Sequence, residues 1–215
     1  MRRLILKMSV SVDGFVGGPK GDVDWIFSSL DEAATAWIVD TISAVGLHIM
    51  GSRTFQDMAA WWPNSTEAIA PPMNEIPKAV FTRKPGGTPL DPATTTALRN
   101  ATALRGDTLD AKHISPHGAS WAEAYVARGD LATEIAALKQ QSGKDMLAHG
   151  GASFARSLAS LGLIDEYRLL VHPVALGQGL PLSADLPRPL DLKRVSATSF
   201  PGGCVAQVYR PAASG

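Results

Sequence analysis

The chain has 215 residues, 45% of them hydrophobic, and its 20 basic and 20 acidic side chains leave a formal net charge of zero. That balance gives no electrostatic footprint for nucleic acid or for an anionic membrane. The single cysteine, Cys204, excludes an internal disulfide framework and a cysteine-rich metal site.

Residues 3–12, RLILKMSVSV, are β-branched and partly alternating, which predicts a strand. Lys7, Ser9, Ser11 and Asp13 interrupt this run too early for a signal peptide. No apolar run approaches the ~18 residues of a membrane helix, so the expectation is a soluble, cytoplasmic protein. Next comes DGFVGGPKGDVDW, whose four glycines and one proline predict a loop. Ser29-Leu30-Asp31-Glu32 has the form of a capping box, opening an Ala-rich helix that runs to about Val45. The strand LHIM (47–50), a helix from about Arg53 to Ala60, and the strand PKAVFTR (77–83) follow. Residues 84–120 are rich in Pro, Thr, Gly and Ala with weak periodicity, and read as an inserted excursion, a lid or a partly mobile loop rather than a plain connection. Regular structure resumes with helix DLATEIAALKQQ (130–141), strand KDMLAHG (144–150), helix ASFARSLASLG (152–162) and strand DEYRLLVHPVAL (165–176). In the tail, KRVSATSFPGGCVAQVYRP reads as two strands joined by the turn Pro201-Gly202-Gly203. Strands that alternate with helices and then close antiparallel imply a single α/β domain, 1–213. It is a three-layer α/β/α sandwich on a mixed, mostly parallel central sheet ending in a hairpin.

Two stretches share one grammar. IMGSRTFQDM (49–58) and MLAHGGASFARSL (146–158) both pass from strand through glycine and hydroxyl residues into helix. At a helix start several backbone N–H groups lack intrahelical partners and the positive end of the dipole faces outward, so such a junction binds anions. Arg53 adds a two-pronged phosphate donor, and Thr82-Arg83 supplies a further contact at a strand end. Either junction alone is equally an ordinary strand-to-helix turn; two together point to a dinucleotide. Neither matches G-x-G-x-x-G, and no G-x-x-x-x-G-K-[ST] occurs, so ordinary Rossmann and P-loop readings lose their support.

LILKMSVSVDGFVGG, IMGSRTFQDMAAWWP, PKAVFTR, the run from GKDMLAHGGASF to ALGQGLPL, and the closing hairpin together resemble the dihydrofolate reductase superfamily. The branch is the one shared with the C-terminal reductase domain of the bifunctional riboflavin-biosynthesis deaminase–reductase. The resemblance implies a dihydrofolate reductase-like fold that binds NADPH. It implies that Gly51, Ser52, Arg53 and Thr54 hold the adenosine side and pyrophosphate. Thr82 and Arg83 would flank the adenine ribose and its 2′-phosphate. Gly150, Gly151, Ala152, Ser153 and Phe154 would cradle the pyrophosphate and the nicotinamide end, with a cis peptide between the two glycines. Val16 and Gly17, in a mobile loop, would lie over the nicotinamide. It also implies a homodimer. The family's acidic residue on the first helix has no placed counterpart, since the spacing points near Thr35, and Leu180 stands where a basic residue is usual.

Asp13 is the leading polar candidate for substrate binding or proton delivery, weighed against a simple Asp-Gly turn start. Ser11 shares its strand, and Trp25 and Trp62 are candidates to stack on a flat heterocycle, with core packing the competing role for each. His113 and His117 have a metal-ligand spacing, but Ser115-Pro116 between them argues against a helix, and no metal is expected. His149 and His172 read as hydrogen-bonded core residues, and Cys204 as buried in the final strand. The expected activity is hydride transfer from NADPH to a small pterin- or aminopyrimidine-like molecule; the alternative is a non-catalytic nucleotide-binding protein of the same fold.

Overall fold

Alternation along the first strand builds two cores at once. A computed structural model describes residues 1–83 and 120–212, and in it β1 (Leu4–Ser11) runs through the middle of an eight-stranded sheet. Leu4, Leu6, Met8 and Val10 face one core, whereas Ile5 faces the other. On that second face the next side chains are Lys7, Ser9 and Ser11, so the surface turns polar towards the carboxyl end of the strand.

The remaining strands are β2 (Leu47–Gly51), β3 (Lys78–Phe81), β4 (Tyr125–Ala127), β5 (Met146–His149), β6 (Glu166–His172), β7 (Leu192–Ser199) and β8 (Val205–Pro211). Their order is β4-β3-β2-β5-β1-β6-β8-β7. β1 to β6 are mutually parallel, and β8 and β7 close the sheet antiparallel. One face is covered by α1 (Glu32–Ser43), α2 (Ser52–Trp61) and α3 (Ala70–Glu75), which pack Ile38, Ile42, Phe55, Ala59 and Met73 against it. The other is covered by α4 (Leu131–Gln140) and α5 (Ala152–Ser160) through Ile135, Leu138, Ala155 and Leu158. The fold is the expected mixed α/β sandwich.

Local details depart from the sequence expectations. The cap of α1 is Asp31, whose carboxylate accepts from Ala34 N at 2.7 Å, while Ser29 is buried beneath the sheet edge. The short α3 and β4 were not foreseen: Pro71 and Pro72 mask the first, and three residues are too few to show a period for the second. β6 ends at His172, just before Pro173. No cis peptide occurs among the described residues, so the Gly150–Gly151 bond is trans; both glycines instead take positive φ, 20° and 79°. The segment read as an insertion, 84–120, lies outside the described residues apart from Ser120. Among the described residues no helix is long and apolar enough to cross a membrane.

At the amino ends of β1, β5 and β6 an ion network ties the parallel strands together. Glu166 is 2% exposed and meets Arg168 at 2.8 Å, Arg210 at 2.9 Å and Arg3 at 3.2 Å, while Arg3 also holds Asp145 at 2.6 Å. Burial pushes the Glu166 carboxyl up, but the hydrogen bonds from Arg168 and Arg210 outweigh it and the net shift is downward. A depressed carboxyl stabilises the fold above its unfolded value and loses that contribution as pH falls through the folded one. Glu166→Gln is therefore expected to lower stability by about 1–3 kcal/mol near pH 7, since the buried carboxylate loses its charge-assisted bonds while solvent reaches Arg3 and Arg210. The gap between wild type and variant in urea unfolding should close as pH falls below about 4.5, the ordinary glutamate value.

Candidate cofactor and substrate site

Because β1, β2, β3, β5 and β6 are parallel, their carboxyl ends share one edge of the sheet, the edge at which open α/β sheets bind ligands. Both glycine junctions lie there. Gly51 opens α2 and Gly151 opens α5, and neither helix start carries a side-chain cap. By contrast, α1 and α4 are capped by Asp31 and Asp130. Of the helices that begin at this edge, α2 and α5 thus keep their outward N–H groups free of a neighbouring carboxylate, which is what an anion requires.

The junctions touch each other. A Cβ on Gly151 would sit 2.6 Å from Thr54 Oγ1, and one on Gly51 would sit 3.4 Å from Phe154 Cβ. The Phe154 ring lies 5.2 Å from Phe81 at the end of β3. Arg53 and Ser153 are exposed, and Ser52, Thr54, Ala152 and Phe154 are half-buried. Thr82 pairs its N–H with Ala127 O at 3.1 Å, which leaves Arg83 to project beyond the sheet. A cleft of about 380 Å³ joins Arg83 and Ser153 to Arg156, Ser157 and Ser160 of α5, with Asp185 across from Arg156 at 3.6 Å. Arg156 and Ser157 were not singled out in the sequence, although their three- and four-residue spacing from Ser153 places them on the same helix face.

The loop after β1 is pinned. Val16 N donates to Leu180 O at 2.8 Å, Leu180 N to Gly17 O at 2.8 Å, and Leu182 N to Gly14 O at 3.0 Å. A Cβ on Gly179 would collide with the Gly17 carbonyl, so the close approach of the two loops requires glycine there. Val16 is 8% exposed and packs in the core. Asp13 serves the same junction: its carboxylate accepts from the Ser11 hydroxyl at 2.6 Å, Gly177 N at 2.7 Å and Leu176 N at 3.1 Å. The Ser11 and Gly177 bonds hold its carboxyl below the usual range.

On the α1 face the sheet carries a set of basic groups. Lys7 is the register partner of His149, immediately before the glycine pair. Burial lowers its ammonium to about 8. His149 lies 4.5 Å from the His48 ring, and its Nε2 has no hydrogen-bond partner; burial and the charges of Lys7 and Lys78 lower it to about 3. Lys78, lowered to about 7 by burial, donates to Ile76 O and Ser120 Oγ and sits 4.5 Å over Trp121. His172 pairs in register with Ser11, and its ring meets Trp25 edge-on at 5.4 Å. Ser11, Trp25 and His172 are thus neighbours, whereas Trp62 packs into the α1–α3 core with its carbonyl accepting from Asn74 at 2.9 Å. His149 and His172 are buried as expected, but Nε2 of each has no hydrogen-bond partner among the described residues. His113 and His117 lie outside the described residues.

Residues 2–206 match the family model of the RibD C-terminal domain. The chain belongs to that family. It is 30% identical over 210 residues to the uncharacterized protein YyaP of Bacillus subtilis (strain 168), covering 97% of this chain and 94% of the other. Its fold is similar to the diaminohydroxyphosphoribosylaminopyrimidine deaminase/5-amino-6-(5-phosphoribosylamino)uracil reductase of Thermotoga maritima. That match has TM-score 0.62 and 16% identity over 98% of this chain and 57% of the other. It is similar as well to dihydrofolate reductase from Enterococcus faecalis, with TM-score 0.56 and 10% identity over 97% and 96% of the two chains. Both solved proteins are reductases, and both confirm the dihydrofolate reductase-like fold of this RibD C-terminal domain protein.

The contact between the two junctions makes a quantitative expectation. Gly151→Ala places a Cβ at φ 79° against Thr54 Oγ1, and should cost about 1–2 kcal/mol from the left-handed backbone alone, plus the clash. In a Thr54→Ala background the extra cost should shrink, because the next nearest atom outside that side chain is Phe154 Cβ at 3.8 Å. A double-mutant cycle by urea denaturation reads the coupling directly.

Proposed function

We propose that the chain is an NADPH-dependent reductase that transfers hydride to a small, flat heterocycle of pterin or aminopyrimidine type. The observation that carries the reading is the meeting of two uncapped, glycine-led helix starts at the carboxyl edge, beside a cleft holding Arg83 and Arg156. The residues present suit the cofactor: side chains at Gly51 or Gly151 would crowd the space between the junctions, and the free helix starts favour a pyrophosphate. Gly51, Ser52, Arg53 and Thr54 would hold it from one side, and Gly150, Gly151, Ala152, Ser153 and Phe154 from the other. Thr82, Arg83, Arg156 and Ser157 would read the 2′-phosphate, with Val16 and Gly17 behind the nicotinamide end. When bound, NADPH supplies the hydride.

Proton delivery falls to Lys7 in preference to Asp13. Three donors already stabilise the Asp13 carboxylate, so it is a poor acid, whereas a half-buried ammonium lowered to about 8 is close to the working pH of a general acid. Ser11 and Trp25, the neighbours of His172 further along the same face, would be substrate contacts. The family assignment and the reductase half of the Thermotoga protein favour an aminopyrimidine over a folate. We propose further that the chain pairs with a second copy through β7, the edge strand beside β8, all of whose residues are exposed, Leu192 by 38% and Val195 by 51%.

Calorimetric titration with NADPH and NADH tests the cofactor. Arg83→Ala should weaken NADPH tenfold or more and leave NADH unchanged, because a charge-assisted phosphate contact is worth about 1.5–3 kcal/mol. Failure of both cofactors to bind the wild type would sink the reductase reading. With an aminopyrimidine substrate, kcat should fall as pH rises through about 8, when Lys7 loses its proton. Lys7→Met should lower kcat by about 10²–10⁴ with NADPH affinity intact. NADPH binding without turnover of any such heterocycle would leave a nucleotide-binding protein. Sedimentation should give twice the 22.7 kDa chain mass, and Val195→Lys, which places a charge on the edge strand, should favour the monomer.

A further inference from the structure

At the carboxyl end of β6, the environment of His172 selects one tautomer. Its Nδ1 lies 2.8 Å from Ser29 Oγ and 3.3 Å from Cys204 Sγ. The Cys204 thiol has an acceptor of its own, the Ser29 carbonyl at 3.2 Å. If Nδ1 carried the proton, the Ser29 hydroxyl would be left with sulfur as its acceptor, a weak one. The better arrangement has the thiol donating to the carbonyl, the Ser29 hydroxyl donating to Nδ1, and the imidazole proton on Nε2.

Nε2 lies across the ring from that pair and has no partner, although His172 is 0% exposed. Its register neighbour Ser11 does not serve: the Ser11 hydroxyl donates to Asp13 at 2.6 Å and accepts from Phe15 N at 3.0 Å, and forms no bond to Nε2. Folded proteins rarely leave a buried N–H donor unmatched, and where they do the group commonly has work to do. The ring packed against it is lightly held. Trp25 meets the ring edge-on from a short 3₁₀ helix (Asp24–Ser29), is itself only half-buried, and its indole N–H donates to Asp22 O at 3.3 Å. Burial and the nearby Lys7 charge keep His172 neutral, lowered to about 4, so it acts as a donor without becoming a cation.

Resting on the reductase reading above, we propose that His172 is a substrate-reading residue. Its Nε2–H, set in that tautomer by Ser29 and Cys204, donates to an oxo or ring-nitrogen acceptor of a flat nitrogen heterocycle, over which Trp25 swings to stack. Ser29 is a positioning residue, acting through His172. The substrate class follows: a planar ring presenting an acceptor on the edge that enters first.

The test is long-range ¹H–¹⁵N correlation on histidine-labelled chain saturated with NADPH, His172 being assigned by its disappearance in His172→Phe. Expected are a neutral Nε2–H tautomer from pH 7 down to pH 5 and a displaced Nε2 resonance when 5-aminouracil or 7,8-dihydropterin is added. Indole, flat but without an acceptor, should leave it in place. His172→Phe should weaken the heterocycle tenfold or more, and His172→Gln, whose amide N–H₂ falls near Nε2, should restore most of the affinity. Ser29→Ala should admit the Nδ1–H tautomer and weaken binding several-fold with the circular dichroism spectrum unchanged. An Nδ1–H tautomer in the wild type, a resonance unmoved at saturation, or no binding of either acceptor-bearing probe would overturn the proposal. Because NADPH affinity is measured separately, a chain that binds no NADPH but still shows the His172 displacement refutes the reductase reading and leaves this one standing.

Discussion

Parallel pairing of β1 with β5 on one side and β6 on the other is the constraint on which the rest of the molecule depends. Parallel neighbours cannot be joined by tight turns, so each connection crosses a face of the sheet and returns every strand in the same direction. The carboxyl ends of β1, β2, β3, β5 and β6 therefore meet along one edge, and the loops and helix starts that follow them converge there. The opposite edge gathers the amino ends, where Glu166 and its arginines join β1, β6 and β8. One end of the sheet is tied by charge; at the other, the two glycine-led helix starts carry no side-chain cap.

The two faces of β1 divide the labour further. Even-numbered residues are apolar along its whole length and pack under α4 and α5, whereas odd-numbered residues change from Ile5 to Lys7, Ser9 and Ser11 as the strand approaches the site. The same face carries His48, His149 and His172 on neighbouring strands, each lowered by burial and kept neutral. No compensating carboxylate stands in this row, so Lys7 bears its charge in a setting that makes it readily lost. Asp13, which the sequence marks as the obvious polar residue, spends its lone pairs on the loop that closes β1 to the Gly177–Leu182 segment.

Much of this was legible in the sequence. Strand-glycine-hydroxyl-helix grammar located Gly51 to Thr54 and Gly150 to Phe154 because it encodes local backbone requirements, and alternation located the strands. The capping residue of α1 was missed by two positions, since Ser29 and Asp31 are both good caps and only burial of Ser29 against His172 separates them. Arg156 and Ser157 were readable from helical spacing once Ser153 was placed, yet nothing local says that Arg83 shares their cleft.

By itself, then, the sequence determined the α/β class, the mostly parallel character of the sheet, the two junctions and the closing hairpin, because all of these follow from short-range periodicity, glycine placement and turn chemistry. Tertiary structure alone decided that the junctions touch through Thr54 and Phe154, that Asp13 is held as a carboxylate, and that Lys7, His149 and His172 share a face. Those outcomes depend on register between strands far apart in the chain, and register is set by how two faces pack against helices rather than by any local run of residues.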